Sequence, residues 1–84
     1  MERKTVTINA PGGSEVSPVA KLVQIACQFE SAIHLENGSR KVNAKSIMGM
    51  MSLGLDVGEE ITIMADGKDE DEAVENLEKY LKGE

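Results

Sequence analysis

The sequence predicts an α+β fold, an open-faced β-sandwich in which a four-stranded antiparallel sheet is covered on one face by three helices (β-α-β-β-α-β-α). Three observations predict it. Four short segments alternate polar and apolar residues, which is typical of strands with one solvated face. Two longer segments repeat apolar residues at helical spacing behind capping residues. A short apolar segment between the third and fourth strands has a helical composition.

The first strand and the first helix are separated by a Gly-rich turn. The strand covers residues 4–10, where polar and apolar side chains alternate, and residues 11–13 (Pro-Gly-Gly) end it. The helix begins with Ser17 as N-cap and Pro18 at the first helical position, and we expect it to end near Phe29. Its buried stripe has the spacing i, i+3, i+4, i+7 and consists of Val19, Leu22, Val23 and Ala26.

The middle of the chain predicts a β-hairpin. Residues 32–36 and 40–44 have the pattern of strands, and Asn37-Gly38 joins them. Asn-Gly favours a type I′ turn because both residues tolerate positive φ. Alternation along the first of these strands places Ile33 and Leu35 on one face and His34 on the solvent face.

The second half of the chain predicts a helix, a strand and a helix. Residues 46–53 are helical by composition but apolar on nearly every side, and residues 60–65 form the fourth strand. In the last helix, Asp69 and Glu72 have the spacing of a capping box, and Gly83 follows the helix. Its buried stripe comprises Val74, Leu77 and Leu81, flanked by Ala73 and Tyr80.

Composition excludes several classes of protein. The chain has 84 residues, which predicts one domain over residues 1–84. One Cys cannot form an internal disulfide, and one Cys with one His cannot supply the four ligands of a structural zinc site. The net charge of −6 disfavours direct binding to nucleic acid. Since no apolar stretch is long enough for a membrane span, we expect a cytoplasmic protein, and no cofactor is predicted.

Groups that could perform catalysis are scarce. The lone His34 lies in the middle of a strand, on its solvent face. Cys27 lies near the apolar stripe of the first helix and is expected to be a small packing residue. No Ser-His-Asp or Cys-His set can be assembled without a suitably placed His. The sequence therefore predicts that the protein is not an enzyme.

Two features of residues 46–53 indicate contacts with other molecules. A helix of two turns cannot bury all its sides, so some of Ile47, Met48 and Met51 should face solvent or a partner, the alternative being that all three are core residues. Ser46 begins this helix. It is either a simple N-cap or a site where an added phosphate would be stabilised by free backbone N–H groups.

The chain resembles the HPr family, the small phosphocarriers of the bacterial sugar phosphotransferase system. The resemblance is most specific over residues 42–54 (VNAKSIMGMMSLG), which match the regulatory-serine region of the family, and it extends to residues 4–5, 22–24, 60–63 and 69–70. It implies the same β-α-β-β-α-β-α sandwich, with one face of the sheet left bare.

A second motif of the family is altered in this chain. Phosphocarriers have Gly-x-His-x-Arg-Pro before the first helix, and the His accepts a phosphoryl group from enzyme I. Here residues 13–18 are Gly-Ser-Glu-Val-Ser-Pro, so Glu15 stands at the His position and Ser17 at the Arg position. A carboxylate is an anion and lacks the nitrogen nucleophile of an imidazole, so phosphocarrier activity is not expected.

A family member that lacks the His but keeps the Ser is similar to the Crh subgroup, the catabolite-repression HPr-like proteins. That resemblance implies phosphorylation of Ser46 by HPr kinase/phosphorylase. It also implies that the phosphorylated form binds a transcriptional repressor, the catabolite control protein. Ile47, Met48 and Met51 would form the contact patch, with Ser17 as a further partner-binding position.

Two alternatives and the oligomeric state stay open. Glu15 or another residue could still accept a phosphoryl group from enzyme I, or the chain could be a diverged interaction domain in which Ser46 is an N-cap alone. The protein is expected to be a monomer, or a homodimer that exchanges its first strand through the Gly-rich connection at residues 11–13.

Overall fold

Within the residues that the structure describes, four strands and three helices follow one another in the predicted order. The computed structural model of the protein describes residues 1–9, 18–53 and 58–83, without the side chain of Pro18. The elements are β1 (Glu2–Thr7), α1 (Pro18–Cys27), β2 (Ala32–Asn37), β3 (Arg40–Asn43), α2 (Ile47–Leu53), β4 (Glu60–Asp66) and α3 (Glu70–Lys82). The predicted fold class, an open sheet with three helices, is confirmed.

The strands form one antiparallel sheet in the order β1-β4-β2-β3. β4 is central, since it pairs with β1 through Thr5 opposite Thr62 and with β2 through Leu35 opposite Ile63. β1 and β3 are the edge strands. Consecutive strands are therefore not always neighbours, and the first strand of the chain lies two positions away from the second.

The hydrophobic core lies between the sheet and the helices. The predicted stripes of α1 and α3 are buried there, apart from the half-buried Val19. The sheet contributes alternate residues, as one-sided burial requires. These are Val6, Ile33, Leu35, Ile61, Ile63 and Ala65. No helix within the described ranges is long and apolar enough to cross a membrane.

The predicted ends of β1 and α1 are shifted. β1 ends at Thr7, although the Ile8 N–H still donates to the carbonyl of Glu59, just before β4, at 2.9 Å. The chain turns to α3 at the next residue, where the Asn9 N–H donates to the carbonyl of Leu81 at 2.9 Å, and the predicted end at residue 10 lies outside the described residues. α1 ends at Cys27, and the N–H of Phe29 bonds only three residues back, to Ala26, in a tighter turn.

The hairpin turn is displaced by one residue from its predicted position. Asn37 is the last residue of β2 and pairs with Arg40, so the two loop residues are Gly38 and Ser39. Gly38 has φ of 64°, a conformation that favours glycine. Asn37 is held in the strand by a long-range contact, since its side-chain amide donates to Glu59 at 2.8 Å.

The predicted capping box of α3 is wrong. Asp69 is the residue before α3, but its side chain makes no capping hydrogen bond. Its carboxylate turns away to the segment between α1 and β2, where it accepts hydrogen bonds from Glu30 and Ser31. The end of α3 is as predicted, because Gly83 adopts the left-handed conformation (φ 82°) and its N–H bonds back to Tyr80.

Candidate functional site

Ser46 lies at the start of α2 and is half-buried. Its hydroxyl oxygen accepts a hydrogen bond from the backbone N–H of Gly49 at 3.2 Å, and its carbonyl accepts from the N–H of Met50 at 2.9 Å. This is N-cap geometry, in which the side chain serves a backbone donor that has no partner inside the helix. The predicted capping role of Ser46 is therefore confirmed.

The turn before Ser46 is also fixed by hydrogen bonds. The carbonyl of Asn43, at the end of β3, accepts from the N–H of Ser46 at 3.0 Å, and the Asn43 side chain accepts from the N–H of Lys45 at 2.8 Å. Ala44 between them is fully buried. The backbone that presents the Ser46 hydroxyl is thus held from both sides, by β3 before it and by α2 after it.

α2 has one buried side and one exposed apolar side. Met50 and Leu53 are buried against the core. Ile47, Met48 and Met51 lie on the opposite side and are 49%, 83% and 69% exposed. We call these three residues the α2 patch. The sequence predicted that some of these three side chains face solvent or a partner, and the structure shows that all three are exposed.

Two cations position α2, and both bind main-chain oxygens. The Lys45 Nζ donates to the carbonyl of Phe29 at 2.7 Å, just beyond α1, and Arg40 donates to the carbonyl of Ser52 at 2.6 Å, in the last turn of α2. Sequence reasoning missed these roles. The acceptors are backbone groups 16 and 12 residues away, and no local pattern of side chains marks them.

The remaining predicted site residues are not brought to Ser46 by any described contact. Glu15 and Ser17 lie outside the described residues, so their predicted roles stay predictions. His34 is half-buried on the open face of the sheet, opposite Asn43 and Met64. Within residues 1–9, 18–53 and 58–83, no group of His, Cys, Asp and Glu side chains is arranged to hold a metal ion.

The prediction that Cys27 is a small packing residue is wrong. Cys27 is exposed and does not pack in the core. It follows the buried Ala26 by one residue, a rotation of about 100° around the helix that carries it off the buried stripe.

Known proteins resemble this chain over nearly its whole length. The family model for the phosphorylation site of the HPr component of the phosphotransferase system matches residues 2–83. The HPr-like protein Crh of Bacillus subtilis (strain 168) is 44% identical over 84 residues, which are all of this chain and 99% of the relative.

Solved structures agree with this similarity. The phosphocarrier protein HPr of Bacillus anthracis is 41% identical, with a TM-score of 0.86 over 95% of each chain. A crystal structure of Bacillus subtilis Crh, described as a dimer with a swapped domain, is 43% identical, with a TM-score of 0.75 over 99% of this chain and 95% of the relative. By sequence and by fold, the chain belongs to the HPr family.

Proposed function

We propose that this protein is a non-catalytic regulatory member of the HPr family, phosphorylated on Ser46 by HPr kinase/phosphorylase in the bacterial cytoplasm. Its phosphorylated form binds a transcriptional repressor and so takes part in carbon catabolite regulation. The observation that carries the proposal is the position of the Ser46 hydroxyl, directly before the exposed α2 patch. Similarity to the HPr-like protein Crh of Bacillus subtilis supports the same assignment.

A phosphate on Ser46 would change the chemistry of this surface. It would add a charge of about −1.5 to −2 beside three exposed apolar side chains. A partner that pairs a cation with the phosphate and packs an apolar surface on the α2 patch would then distinguish the phosphorylated from the unmodified chain. We expect the partner to supply a cation for the phosphate, because hydrogen bonds to main-chain carbonyls limit the movement of the Lys45 and Arg40 side chains.

The first experiment measures phosphorylation of the folded chain. Incubation with HPr kinase/phosphorylase and ATP should add one phosphate, detected by intact mass, and Ser46→Ala should abolish it. Ser52→Ala is the matched control, because Ser52 is a nearby serine in the last turn of α2, is exposed and donates its hydroxyl to a main-chain carbonyl at 2.7 Å. Unmodified protein, or a phosphate that survives Ser46→Ala, would leave a diverged interaction domain as the better description.

The second experiment measures repressor binding by the phosphorylated chain. Met48→Ser removes the most exposed member of the α2 patch and should weaken the affinity about tenfold, as truncation of a contact residue at an interface does. Lys79→Ser is the control, since Lys79 is an exposed helical residue on α3, away from Ser46 in the chain. Equal affinities of the two variants would exclude the α2 patch as the binding surface.

A phosphocarrier role is the second candidate, because the matching family model describes a phosphorylation site of the phosphotransferase system. In that role Glu15 would accept a phosphoryl group from enzyme I and form an acyl phosphate. Incubation with enzyme I and labelled phosphoenolpyruvate tests it. Label that stays on Ser46→Ala protein and is lost from Glu15→Gln protein would favour the carrier role over the regulatory one.

The proposal includes two further expectations. Ser17 is expected to contribute to the partner interface, at the position where phosphocarriers have Arg. The chain is expected to be a monomer or a strand-exchanged homodimer, by analogy with the swapped Crh dimer. Size-exclusion chromatography at two concentrations tests the second expectation, and elution as a monomer at both concentrations would contradict the homodimer.

A further inference from the structure

The five Met side chains of this protein fall into two clear groups. Met1, Met48 and Met51 are 74%, 83% and 69% exposed, whereas Met50 and Met64 are 0% and 3% exposed. Two of the three exposed thioethers belong to the α2 patch, where together with Ile47 they make up its apolar surface. A chemical modification of the Met48 and Met51 sulfurs would therefore change most of the apolar surface of the α2 patch.

We propose that Met48 and Met51 are sites of reversible oxidation, and that their conversion to sulfoxides switches off binding at the α2 patch. The proposal rests on the function proposed above. The oxidant is hydrogen peroxide. A sulfur lone pair attacks one peroxide oxygen, the S–O bond forms and the O–O bond breaks. Sulfur loses two electrons, and the other oxygen leaves as water after proton transfer.

Burial makes the reaction selective within α2. Met50 lies between the two exposed residues in sequence, yet its sulfur is enclosed in the core and out of reach of a solvent oxidant. Met64 is enclosed on the other face of the sheet, where the Arg3 guanidinium contacts its sulfur at 3.3 Å. The helix thus exposes two thioethers to solvent and protects the third.

Because Met48 and Met51 are exposed and Met50 is buried, their oxidation should affect binding at the α2 patch and not folding. Met48 and Met51 contribute little to the core, so their oxidation should leave the fold intact. At an interface, however, each sulfoxide would bring a strong hydrogen-bond acceptor into an apolar contact, and an unpartnered polar group is costly to bury. Both sulfoxides would remain accessible to methionine sulfoxide reductases, which makes the change reversible.

The first test measures which sulfurs react in the intact, folded chain. Trypsin releases residues 46–68 as one peptide, because no Lys or Arg lies between Lys45 and Lys68, and this peptide contains Met48, Met50, Met51 and Met64. Fragmentation after a titration with hydrogen peroxide reports all four sites within one molecule. We expect complete oxidation of Met48 and Met51 before Met50 and Met64 react, with an unchanged thermal midpoint. Oxidation of Met50 at the same peroxide concentration would overturn the proposal.

The second test measures the affinity of the Ser46-phosphorylated chain for the repressor before and after peroxide. We expect a loss of roughly tenfold or more, recovered by treatment with sulfoxide reductases. In Met48→Leu/Met51→Leu protein the ratio of the two affinities should fall to about one, whatever its starting affinity. Met1 is present in both the original protein and the double variant, so any effect of its oxidation contributes to both ratios. Each single substitution is measured in the same way, in case the double variant binds too weakly for a ratio.

The outcomes separate this proposal from the function on which it rests. If the untreated phosphorylated chain does not bind the repressor, the proposed function is wrong and the switch has no partner to act on. If the untreated chain binds and the oxidised chain binds equally well, the function stands and the switch is excluded. A loss of binding that also occurs in Met48→Leu/Met51→Leu protein would assign the effect to another residue and overturn the proposal.

Discussion

The carboxylate of Asp69 holds Ser31 by two hydrogen bonds to one oxygen. Its Oδ1 accepts from the N–H of Ser31 at 3.0 Å and from the Ser31 hydroxyl, while Oδ2 accepts from the N–H of Glu30 at 2.9 Å. Ser31 is 1% exposed, so its N–H and its hydroxyl would otherwise lack partners in a buried position. One side chain at the start of α3 therefore fixes the segment that leads from α1 into β2.

Asp69→Asn should destabilise the fold. An amide offers one acceptor oxygen and turns an NH₂ group toward backbone N–H groups that are themselves donors. We expect the thermal midpoint to fall by roughly 5 °C or more, since hydrogen bonds to charged groups contribute more than neutral ones. Asp71→Asn is the matched control, because Asp71 is an exposed acid in the first turn of α3. Equal midpoints for the two variants would contradict this role of Asp69.

The same contact predicts part of the acid sensitivity of the protein. The hydrogen bond from the Ser31 hydroxyl, followed by the backbone donors, lowers the pKa of Asp69, and the hydrogen bond from Lys82 lowers the pKa of Glu78. A lowered folded-state pKa contributes stability that is present above the unfolded value, near 4 for these acids, and is lost as the pH falls through the folded value.

Urea unfolding at a series of pH values checks this expectation. The free energy of unfolding should fall as the pH decreases from about 5 toward 2. The fall should be smaller in Asp69→Asn protein, which has already lost one of the two contributions. If the free energy of unfolding depends on pH in the same way in both proteins, the pKa of Asp69 does not change on folding.

Gly67→Ala should destabilise the protein through a steric conflict at the same place. A Cβ at residue 67 would lie 2.6 Å from the Ser31 hydroxyl oxygen and 2.7 Å from the Ser31 Cα, and a backbone atom cannot move aside easily. We expect a loss of about 1–3 kcal/mol in the free energy of unfolding. Lys68→Ala, at the exposed neighbouring position, should change it by less than about 0.5 kcal/mol. Equal losses would refute the steric explanation.

Gly49→Ala should have the opposite effect. A Cβ at this helical position would meet the Ser46 hydroxyl oxygen at 3.5 Å and the Val42 Cβ at 3.6 Å, which are ordinary contact distances. Alanine loses less backbone entropy than glycine on forming a helix, so stability should rise by about 0.5–1 kcal/mol. Chemical denaturation measures the change. A destabilised variant would show that α2 packs against β3 more tightly than these distances indicate.

The two sides of α2 should respond differently to truncation. Met50→Ala removes a fully buried side chain and should cost about 2–5 kcal/mol of unfolding free energy. Met48→Ala removes an 83% exposed side chain and should cost less than about 0.5 kcal/mol. Urea unfolding of both variants gives the comparison, and similar losses would contradict the orientation of α2.

Much of the fold could be predicted because its determinants are local periods. Helical spacing predicts the buried side of α3, which carries Val74, Leu77 and Leu81. Alternation predicts the buried face of β2, which carries Ile33 and Leu35 but not His34, and the structure confirms both predictions. The exposure of the α2 patch could be predicted for a related reason: two turns of helix present more apolar side chains than one buried side accommodates.

Two of the errors arise where a distant partner overrides a local pattern. Asp69 and Glu72 have the spacing of a capping box, but Ser31 and Glu30 bring three donors to the Asp69 carboxylate from 38 and 39 residues away. Asn37 has the sequence signature of a turn, but Glu59 holds its amide in β2. Such contacts form only when the chain folds, and the spacing of residues in the sequence does not indicate them.

The anchoring of α2 has a consequence for how its surface can be recognised. Seven residues are too few for a stable helix in isolation, so the geometry of the α2 patch depends on the burial of Met50 and on the bonds from Lys45 to Phe29 and from Arg40 to Ser52. The patch is a conformational epitope and not a linear one. A synthetic peptide of residues 44–54 would contain the same side chains without their folded arrangement. A molecule that contacts all three residues of the α2 patch therefore recognises the folded chain.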